Sequence, residues 1–231
     1  MHNNKKVICL ILARGGSKGI LRKNVKEIGG KPLILHSIDI AKKTKKIDEI
    51  YVSTEDEEIK KISQTNGVKI IDRPKEYAQD ASTYLDAVQY SLNSIPEKKT
   101  NPFIVLLETT SPIRLVKHVE KCVELIDEKI DCVASISEVK ISPAYFYKIN
   151  NNLLEKYDSS STPKNRQEME KIFYYNGSIL VTTLNFLNSQ KDVVFGGNMK
   201  GYLLDEKSSL DIDTPLDFEI CDFLIKQTQN N

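Results

Sequence analysis

The sequence predicts an α/β fold in which a mostly parallel sheet carries helices on both faces. Short apolar segments alternate with amphipathic ones through about residue 138, which is the pattern of repeated strand–helix units. The first segment, Val7–Ala13, is short and continuously apolar, as expected for a strand buried on both faces. A glycine-rich loop follows it directly, a common arrangement in doubly wound sheets. Together these observations indicate a Rossmann-like architecture.

The individual elements of the first 138 residues follow from the spacing of their apolar side chains. Continuous apolar runs favour strands, whereas apolar residues three or four positions apart favour helices. Gly67 is a typical helix stop, and Ser82 is expected to cap the helix that carries Leu85, Val88 and Leu92. The predicted strands span 7–13, 49–54, 68–71, 102–107 and 131–137, and the other predicted helices span 31–45, 55–66 and 116–129.

The pattern changes after residue 139. Residues 140–173 contain two prolines and Asn-rich and Ser-rich stretches, which indicate an inserted subdomain or arm. Its aromatic run Tyr145–Tyr147 favours a subunit contact, with a decorated surface loop as the alternative. The parallel pattern is expected to return at 176–181, followed by a short strand at 202–204 and a closing helix at 216–225. The chain thus divides into one α/β domain, 1–139 and 174–231, and the insertion 140–173.

Composition limits the partners and the location of the protein. Thirty-three Lys and Arg residues balance 32 Asp and Glu residues, so no overall basic field favours nucleic acid. No apolar run approaches the roughly 20 residues of a membrane span, and the start MHNNKK lacks the apolar region of a signal peptide. A cytoplasmic protein without membrane contact is expected. Four scattered cysteines, interpreted as buried free thiols, fit that compartment: Cys9, Cys122, Cys132 and Cys221.

The loop after the first strand is a candidate phosphate site. It reads Arg14-Gly-Gly-Ser-Lys-Gly19, and Arg22 and Lys23 add two further cations. Glycines let backbone amides approach an anion closely. The spacing matches neither the dinucleotide-binding fingerprint nor the P-loop fingerprint. A tight surface turn with solvated lysines is the structural alternative.

The segment Ser209–Thr214, SLDIDT, is a candidate metal site. In an extended chain Asp211 and Asp213 point to the same side, about 6–7 Å apart. Two such carboxylates suit Mg²⁺, particularly beside substrate phosphates. The alternative is helix capping before Pro215, which would explain Asp213 but not Asp211.

Two further polar stretches follow predicted strands. Glu108–Arg114, ETTSPIR, comes after the strand 102–107, and Arg73 follows the strand 68–71. Ligands of open parallel sheets bind beyond the carboxyl ends of the strands. Both stretches are therefore expected near the glycine loop. His36 and His118 lie within helical patterns and are interpreted as structural.

These motifs, taken in order, resemble those of a known family. ARGGSKG, RKN, STED, RP with a later Asp, TSP-I-R, RQ, NGSI and SLDIDT follow one another as in the acylneuraminate cytidylyltransferases, or CMP-sialic acid synthetases. The resemblance covers essentially the whole chain, and its first and last motifs are the most specific. It implies a nucleotide-diphospho-sugar transferase type of α/β domain, a small dimerisation and sugar-site subdomain at 140–173, and a homodimer. It also implies CTP and a nonulosonic acid as substrates and Mg²⁺ as cofactor.

The resemblance also assigns roles residue by residue. Arg14, Lys18 and Lys23 are implied to be catalytic, stabilising the departing pyrophosphate while the anomeric hydroxyl of the sugar attacks the α-phosphorus. Implied nucleotide-binding residues are Arg14, Gly15, Gly16, Ser17, Lys18, Lys23, Asn24, Arg73 and Glu108; implied sugar-binding residues are Arg166, Gln167, Asn176 and Gly177; and implied metal ligands are Asp211 and Asp213.

The chain departs from the family pattern on the sugar side. It reads LLETTSP where the family commonly has LLQPTSP, which places Glu108 and Thr109 at the Gln and Pro positions. Tyr145 and Tyr174 stand at positions of a family Lys and Arg. These changes leave N-acylneuraminate, legionaminate and pseudaminate all open as substrates.

Two other functions remain as alternatives. A nucleotide-sugar glycosyltransferase would use Asp211-Ile-Asp213 as an Asp-x-Asp metal motif, although such motifs usually lie in the middle of a domain. A non-catalytic nucleotide-binding module would bind without turnover. Pyrophosphate release from CTP in the presence of a free sugar acid separates the three.

Overall fold

The computed structural model describes residues 1–17, 19–79, 82–158, 170–190 and 195–229. Its strands are β1 Val7–Leu12, β2 Glu27–Ile28, β3 Lys31–Pro32, β4 Glu49–Thr54, β5 Lys69–Asp72, β6 Phe103–Leu107, β7 Cys132–Glu138, β8 Tyr147–Asn150, β9 Leu153–Lys156, β10 Phe173–Thr183 and β11 Met199–Leu203. Its α-helices are α1 Leu33–Lys43, α2 Glu57–Thr65, α3 Tyr84–Asn93, α4 Val116–Leu125, α5 Leu184–Ser189 and α6 Pro215–Gln229.

The main sheet has seven strands in the order β11-β7-β10-β6-β1-β4-β5. Every neighbouring pair is parallel except the two pairs that β10 makes, with β6 and with β7. The predicted mostly parallel α/β fold is thereby confirmed. The carboxyl ends of β1, β4, β5 and β6 meet at one edge, which is where ligands of such sheets bind.

The expected parallel strand at 176–181 was wrong in direction, because β10 runs antiparallel to both neighbours. The chain leaves β7 at Glu138 and re-enters the sheet beside that same end, where Phe173 pairs with Glu138. A strand that starts beside the end of its predecessor must run back along it. An apolar run alone does not reveal this direction.

The core lies on both faces of the sheet, as the alternation of side chains along β1 illustrates. Val7, Cys9 and Ile11 pack against α1, α2 and α4. Ile8 and Leu10 pack against α3 and α5 on the opposite face. Burial of successive residues on both faces accounts for the uninterrupted apolar run of this strand. The four cysteines are buried and free, as predicted.

The start of α3 and the end of α4 differ from the prediction for identifiable reasons. Thr83, not Ser82, caps α3: its Oγ accepts from the Asp86 amide at 3.1 Å, and the Asp86 carboxylate accepts from the Thr83 amide at 2.9 Å. This reciprocal pair is a capping box. α4 ends at Leu125 rather than 129, because Ile126 turns to an extended conformation and its side chain enters the core.

The insertion is described over 140–158 and 170–172. Strands β8 and β9 form an antiparallel hairpin in which each residue is exposed to solvent. Among the described residues, no helix combines the length and the apolar composition needed to cross a membrane.

Candidate functional site

The predicted site residues converge on a cavity at the carboxyl edge of the sheet. This cavity, called here the loop cavity, has a volume of about 450 Å³. Among the predicted residues, its lining includes Arg14, Ser17, Lys23, Asn24, Arg73, Glu108 and Asp213. Lys18 lies outside the described residues. Segments distant in sequence therefore come together because each follows a strand of the same sheet.

The glycine loop is held at its base by the turn that follows β4. The Gly15 amide donates to Glu55 Oε1 at 2.7 Å. A Cβ added at Gly15 would lie 2.4 Å from Asp56 Oδ2, so only glycine fits this approach. Gly15 and Gly16 do not line the loop cavity, whereas Gly19 does. Within the described loop, Gly15 thus directs its amide to a carboxylate of the protein.

Asn24 closes the far end of the loop. Its Nδ2 donates to the Arg14 carbonyl at 2.9 Å. This bond fixes the orientation of the amide, because the reversed orientation would place two acceptors face to face. The buried Oδ1 has no partner within the described protein. An acceptor oxygen therefore stands unpaired in the wall of the loop cavity.

Arg22 is a cation of the loop that does not line the loop cavity. Arg22 adopts a left-handed conformation, with φ of 55°, and forms ion pairs with Asp56 and Glu58 at the start of α2. Its guanidinium thereby links the loop to that helix.

Arg73 is a buried cation of the loop cavity. Its side chain is 4% exposed, and Nη2 donates to Glu55 Oε2 at 3.4 Å. Burial lowers the pKa of Arg73, and the charge of Glu55 opposes that shift. The buried Nε finds no partner in the described protein. Since a buried donor without a partner is costly, this atom indicates a ligand position.

Glu108 follows β6 directly and lines the cavity opposite the glycine loop. Its carboxylate accepts a hydrogen bond from the Tyr84 hydroxyl. Burial raises the pKa of the Glu108 carboxyl, while the bond from Tyr84 and the charge of Arg114 act in the opposite direction. An acidic side chain is thereby held in a cavity that is also lined by the cations Arg14, Lys23 and Arg73.

Arg114 was not predicted as a site residue, although the polar run 108–114 contains it. It is 2% exposed, and burial lowers the pKa of its guanidinium to about 10. Its nitrogens donate to the Ser111 carbonyl at 2.9 Å, to the Ser178 carbonyl at 2.7 Å and to Ser37 Oγ at 3.3 Å. The side chain thus joins the run to β10 and α1. The TSP-I-R motif contains this arginine, but the motif alone assigns it no role.

The SLDIDT segment lies directly against the glycine loop. Ile212 is fully buried, and its amide donates to the Thr110 carbonyl at 2.9 Å. Lys23 Nζ donates to the Ile212 carbonyl at 2.6 Å. A Cβ added at Gly19 would lie 2.5 Å from the Asp213 carbonyl oxygen. The first and last motifs of the chain therefore form one structural unit.

Asp211 and Asp213 flank the buried Ile212. Ser111 Oγ donates to Asp211 Oδ1 at 3.4 Å. The capping of α6 belongs to a different pair, because Asp217 accepts from the Thr214 amide at 2.7 Å and Thr214 Oγ1 accepts from the Asp217 amide at 3.3 Å. The capping alternative for the Asp213 side chain is therefore not needed.

The donor chemistry of this aspartate pair fits Mg²⁺. In the described part of the chain no group of three or more acidic, His or Cys side chains forms a complete metal cage. Mg²⁺ is typically held by one or two carboxylates together with waters and substrate phosphates. Two aspartates beside a cation-lined cavity match that mode of binding.

A second cavity, called here the arm cavity, adjoins the first. It has a volume of about 970 Å³ and is bounded by the ends of β7, β10 and β11 and by the insertion. Asp213 lines both cavities, and Asp211 lines the arm cavity. The remaining lining includes Lys140, Lys171, Tyr174, Tyr175, Asn176 and Asp205. The aspartate pair thus lies where the two cavities meet.

Asn176 and Gly177 shape the arm cavity through the backbone. Asn176 Oδ1 accepts from Ser135 Oγ at 2.6 Å, and its Nδ2 donates to Ser137 Oγ at 2.9 Å. Gly177 has a φ of +76°, and the register of β10 shifts beside it. The pair forms a bulge of β10, and a sugar contact by either residue stays a prediction. Arg166 and Gln167 lie outside the described residues.

Comparisons with known proteins agree with this geometry. The model of a family described as cytidylyltransferase matches residues 8–221. An N-acylneuraminate cytidylyltransferase of Streptococcus agalactiae serotype V is 33% identical over 220 residues, 92% of this chain and 52% of that protein. A CMP-N,N'-diacetyllegionaminic acid synthase of Campylobacter jejuni is 30% identical over 225 residues, 95% of this chain and 94% of that protein.

A solved structure supports the fold. The structure of a CMP:2-keto-3-deoxy-manno-octonic acid synthetase complexed with CTP superposes with a TM-score of 0.73 at 18% identity, covering 96% of this chain and 99% of that chain. The chain spans about half the length of the streptococcal relative, at 52%. Because the family model covers nearly the whole of it, the chain belongs to the cytidylyltransferase family.

Proposed function

We propose that this protein transfers the CMP group of CTP to the anomeric hydroxyl of a nonulosonic acid and releases pyrophosphate. The observation that carries the proposal is the meeting of the two cavities at Asp211 and Asp213. One cavity is suited to a nucleotide and the other to an acceptor. The aspartate pair lies between them, where phosphate and hydroxyl would meet.

The loop cavity is the proposed CTP site. Arg14, Lys23 and Arg73 supply positive charge to a triphosphate. The unpaired Arg73 Nε and Asn24 Oδ1 offer one donor and one acceptor to a ligand. A nucleotide carries both kinds of partner, phosphate oxygens for the donor and hydroxyl or amine hydrogens for the acceptor. Gly16 and Ser17 are proposed to contribute to the same site, as is Lys18.

Asp211 and Asp213 are the proposed ligands of Mg²⁺. A bound Mg²⁺ would neutralise phosphate charge during displacement of pyrophosphate. The protein orients both aspartates through Ile212, whose amide and carbonyl are each hydrogen-bonded. Lys23 and Arg14 stabilise the charge that develops on the departing pyrophosphate, since phosphoryl transfer depends chiefly on positioning and charge stabilisation.

The arm cavity is the proposed sugar site. Lys140 and Lys171 offer cations to a sugar carboxylate, and Tyr174 and Tyr175 offer hydroxyls and ring faces. Asn176 lines this cavity, and Gly177, Arg166 and Gln167 are proposed to contribute to the same site. The relatives are named for both N-acylneuraminate and legionaminate, so both acids, together with pseudaminate, are proposed as candidate acceptors.

A homodimer formed through the insertion is part of the proposal. Ile149, Leu153 and Leu154 of the hairpin are exposed by 76%, 70% and 68%. An isolated two-stranded hairpin is marginally stable in water, so an apolar partner surface would stabilise it. A second copy of the chain would supply that surface. The cytoplasm is the proposed location, since all four cysteines are buried as free thiols.

Pyrophosphate release tests the proposal. The purified protein is mixed with CTP and one of N-acetylneuraminate, N,N'-diacetyllegionaminate or pseudaminate, with and without Mg²⁺. Release is expected with CTP, Mg²⁺ and at least one of these acids, and the acid that gives the highest rate identifies the substrate. Transfer from a nucleotide sugar without pyrophosphate would favour a glycosyltransferase. CTP binding with no release from any acid would favour a non-catalytic module.

A further inference from the structure

Glu55 belongs to the STED motif, to which the sequence alone assigns no role, and it makes two hydrogen bonds. It follows β4, and its side chain is 14% exposed. Oε1 accepts from the Gly15 amide at 2.7 Å, and Oε2 accepts from Arg73 Nη2 at 3.4 Å. One carboxylate therefore contacts both the first glycine of the loop and the buried arginine of the loop cavity.

The contacts of Glu55 resemble those of a bound anion. A backbone amide and a guanidinium are the groups that commonly hold a phosphate oxygen. Here the protein's own carboxylate takes that position, at the rear of the loop. A negative charge so near a triphosphate site is unfavourable for the ligand unless it improves the geometry of the cations that bind it.

The improvement comes from Arg73. Bonding of Nη2 to Glu55 fixes the plane of the guanidinium, while Nε stays without a partner in the described protein. The same carboxylate restrains Gly15, and the steric limit set by Asp56 restrains it further. Loop and arginine are thus held in a mutual geometry before any ligand arrives, which lowers the ordering cost of binding.

We infer that Glu55 is a positioning residue for CTP, acting through Gly15 and Arg73 without touching the nucleotide. This inference rests on the proposed function, because it assigns the ligand of the loop cavity. It predicts that the loss of Glu55 weakens CTP binding while leaving turnover at saturating CTP nearly unchanged. A charge-assisted hydrogen bond of this kind corresponds to a change of about 10- to 100-fold in affinity.

The test combines binding, kinetics and amide exchange. Glu55→Ala and the milder Glu55→Gln are compared with the control Glu57→Gln. Glu57 lies two residues further along the chain, and its side chain is 86% exposed. The expected results are a Kd for CTP raised about 10-fold or more in Glu55→Ala, a smaller rise in Glu55→Gln and no change in Glu57→Gln. Hydrogen exchange of the Gly15 amide, followed by NMR, is expected to accelerate in Glu55→Ala.

A double-mutant cycle checks the route through the arginine. Arg73→Met alone and combined with Glu55→Ala should give effects on CTP affinity that do not add, because Glu55 acts partly through Arg73. Additive effects would overturn that route. A lower melting temperature in both Glu55 variants with an unchanged Kd for CTP would show that Glu55 is merely structural and would overturn the inference.

Failure of the proposed function gives a different result. If the wild-type protein binds CTP and the Glu55 variants weaken that binding, but no sugar acid releases pyrophosphate, the positioning role stands and the proposed reaction falls. If the wild type releases pyrophosphate and the Glu55 variants match it in Kd, KM and amide exchange, the reaction stands and the positioning role falls. If the wild type binds no CTP, both fall.

Discussion

The loop cavity and the arm cavity meet at one pair of aspartates but are built differently. The loop cavity is walled by turns that follow parallel strands, and these turns are hydrogen-bonded to one another: Gly15 to Glu55, Asn24 to Arg14 and Lys23 to Ile212. The arm cavity is walled by an antiparallel strand, an edge strand and an insertion whose hairpin is exposed. The described wall of the proposed nucleotide site is therefore cross-linked by hydrogen bonds within the α/β domain, whereas the proposed sugar site is bounded in part by the arm.

This difference predicts that substitutions are tolerated less well around the loop cavity than around the arm cavity. The loop cavity uses backbone amides and buried charges that a substitution would disrupt. The arm cavity presents surface lysines and tyrosines that can change without loss of the core. Of the residues at which the chain departs from its family pattern, Tyr174 lines the arm cavity, whereas Glu108 lines the loop cavity.

Removing a charge where the cavities meet should have the largest effect. Asp211→Asn is expected to lower kcat by about 100-fold or more, because Mg²⁺ binding and the orientation of the segment both depend on this carboxylate. Glu219→Gln on α6 is the control, and the measurement is pyrophosphate release across a range of Mg²⁺ concentrations. Normal turnover of this variant would show that Asp211 is not a metal ligand.

Replacing Arg73, which lines the loop cavity, should change the KM for CTP far more than the KM for the sugar. Arg73→Met is expected to raise the KM for CTP by about 10- to 100-fold, since a buried charge-assisted contact is lost. The KM for the sugar should change less than about threefold. Steady-state kinetics with each substrate varied in turn checks this. Equal changes in both KM values would contradict the separation of the two cavities.

Removing cations from the arm cavity should raise the KM for the sugar acid and not the KM for CTP. The side chains of Lys140 and Lys171 are 66% and 74% exposed, so their contacts are weakened by solvent. Replacing both by alanine is expected to raise the KM for the sugar acid by about 3- to 10-fold with little change for CTP. Lys121→Ala on α4 serves as the matched surface control. A selective loss of CTP affinity would show that the lysines bind CTP rather than the sugar acid, which would contradict the assignment of the arm cavity.

The smallest expected effect concerns stability and involves two buried histidines, His36 and His118. His36 contacts the Ile28 carbonyl below the glycine loop, and His118 faces Asp205 of the arm cavity. Burial lowers the pKa of His36 and the pKa of His118. The unfolded chain therefore takes up protons first as the pH falls through about 6.5, so stability is full above that pH and declines below it.

Urea unfolding at pH 7.5 and 5.5 measures this decline. The slope contributed by each histidine is at most about 1.4 kcal/mol per pH unit. His36→Gln and His118→Gln should each flatten the dependence, because burial lowers the pKa of both histidines. A stability that is independent of pH over this range in the wild type would contradict the burial of both rings.

Much of the fold was predictable because β1, β4 and β6 carry apolar runs whose length and flanking turns are distinctive. The direction of β10 was not, because its apolar run reads the same in either direction and only the re-entry at Phe173 determines it. Arg73 and Glu108 were likewise predicted to lie near the glycine loop, because each follows a strand of the parallel sheet. Glu55 and Arg114 could not be assigned, since their roles depend on contacts with residues distant in sequence, Gly15 and Ser178.

The most direct test of the division between the cavities is a variant of the arm. Ile149 and Leu154 pair across the hairpin, and replacing both by serine removes exposed apolar surface. The control is the same replacement at the neighbouring pair, Lys148 and Glu155. The Ile149/Leu154 variant is measured for molecular mass in solution, Kd for CTP and sugar-dependent pyrophosphate release. The expected result is a monomer that binds CTP within about twofold of the wild type but releases pyrophosphate at least about tenfold more slowly. A monomer with full activity, or one that loses CTP binding to the same extent, would contradict the account.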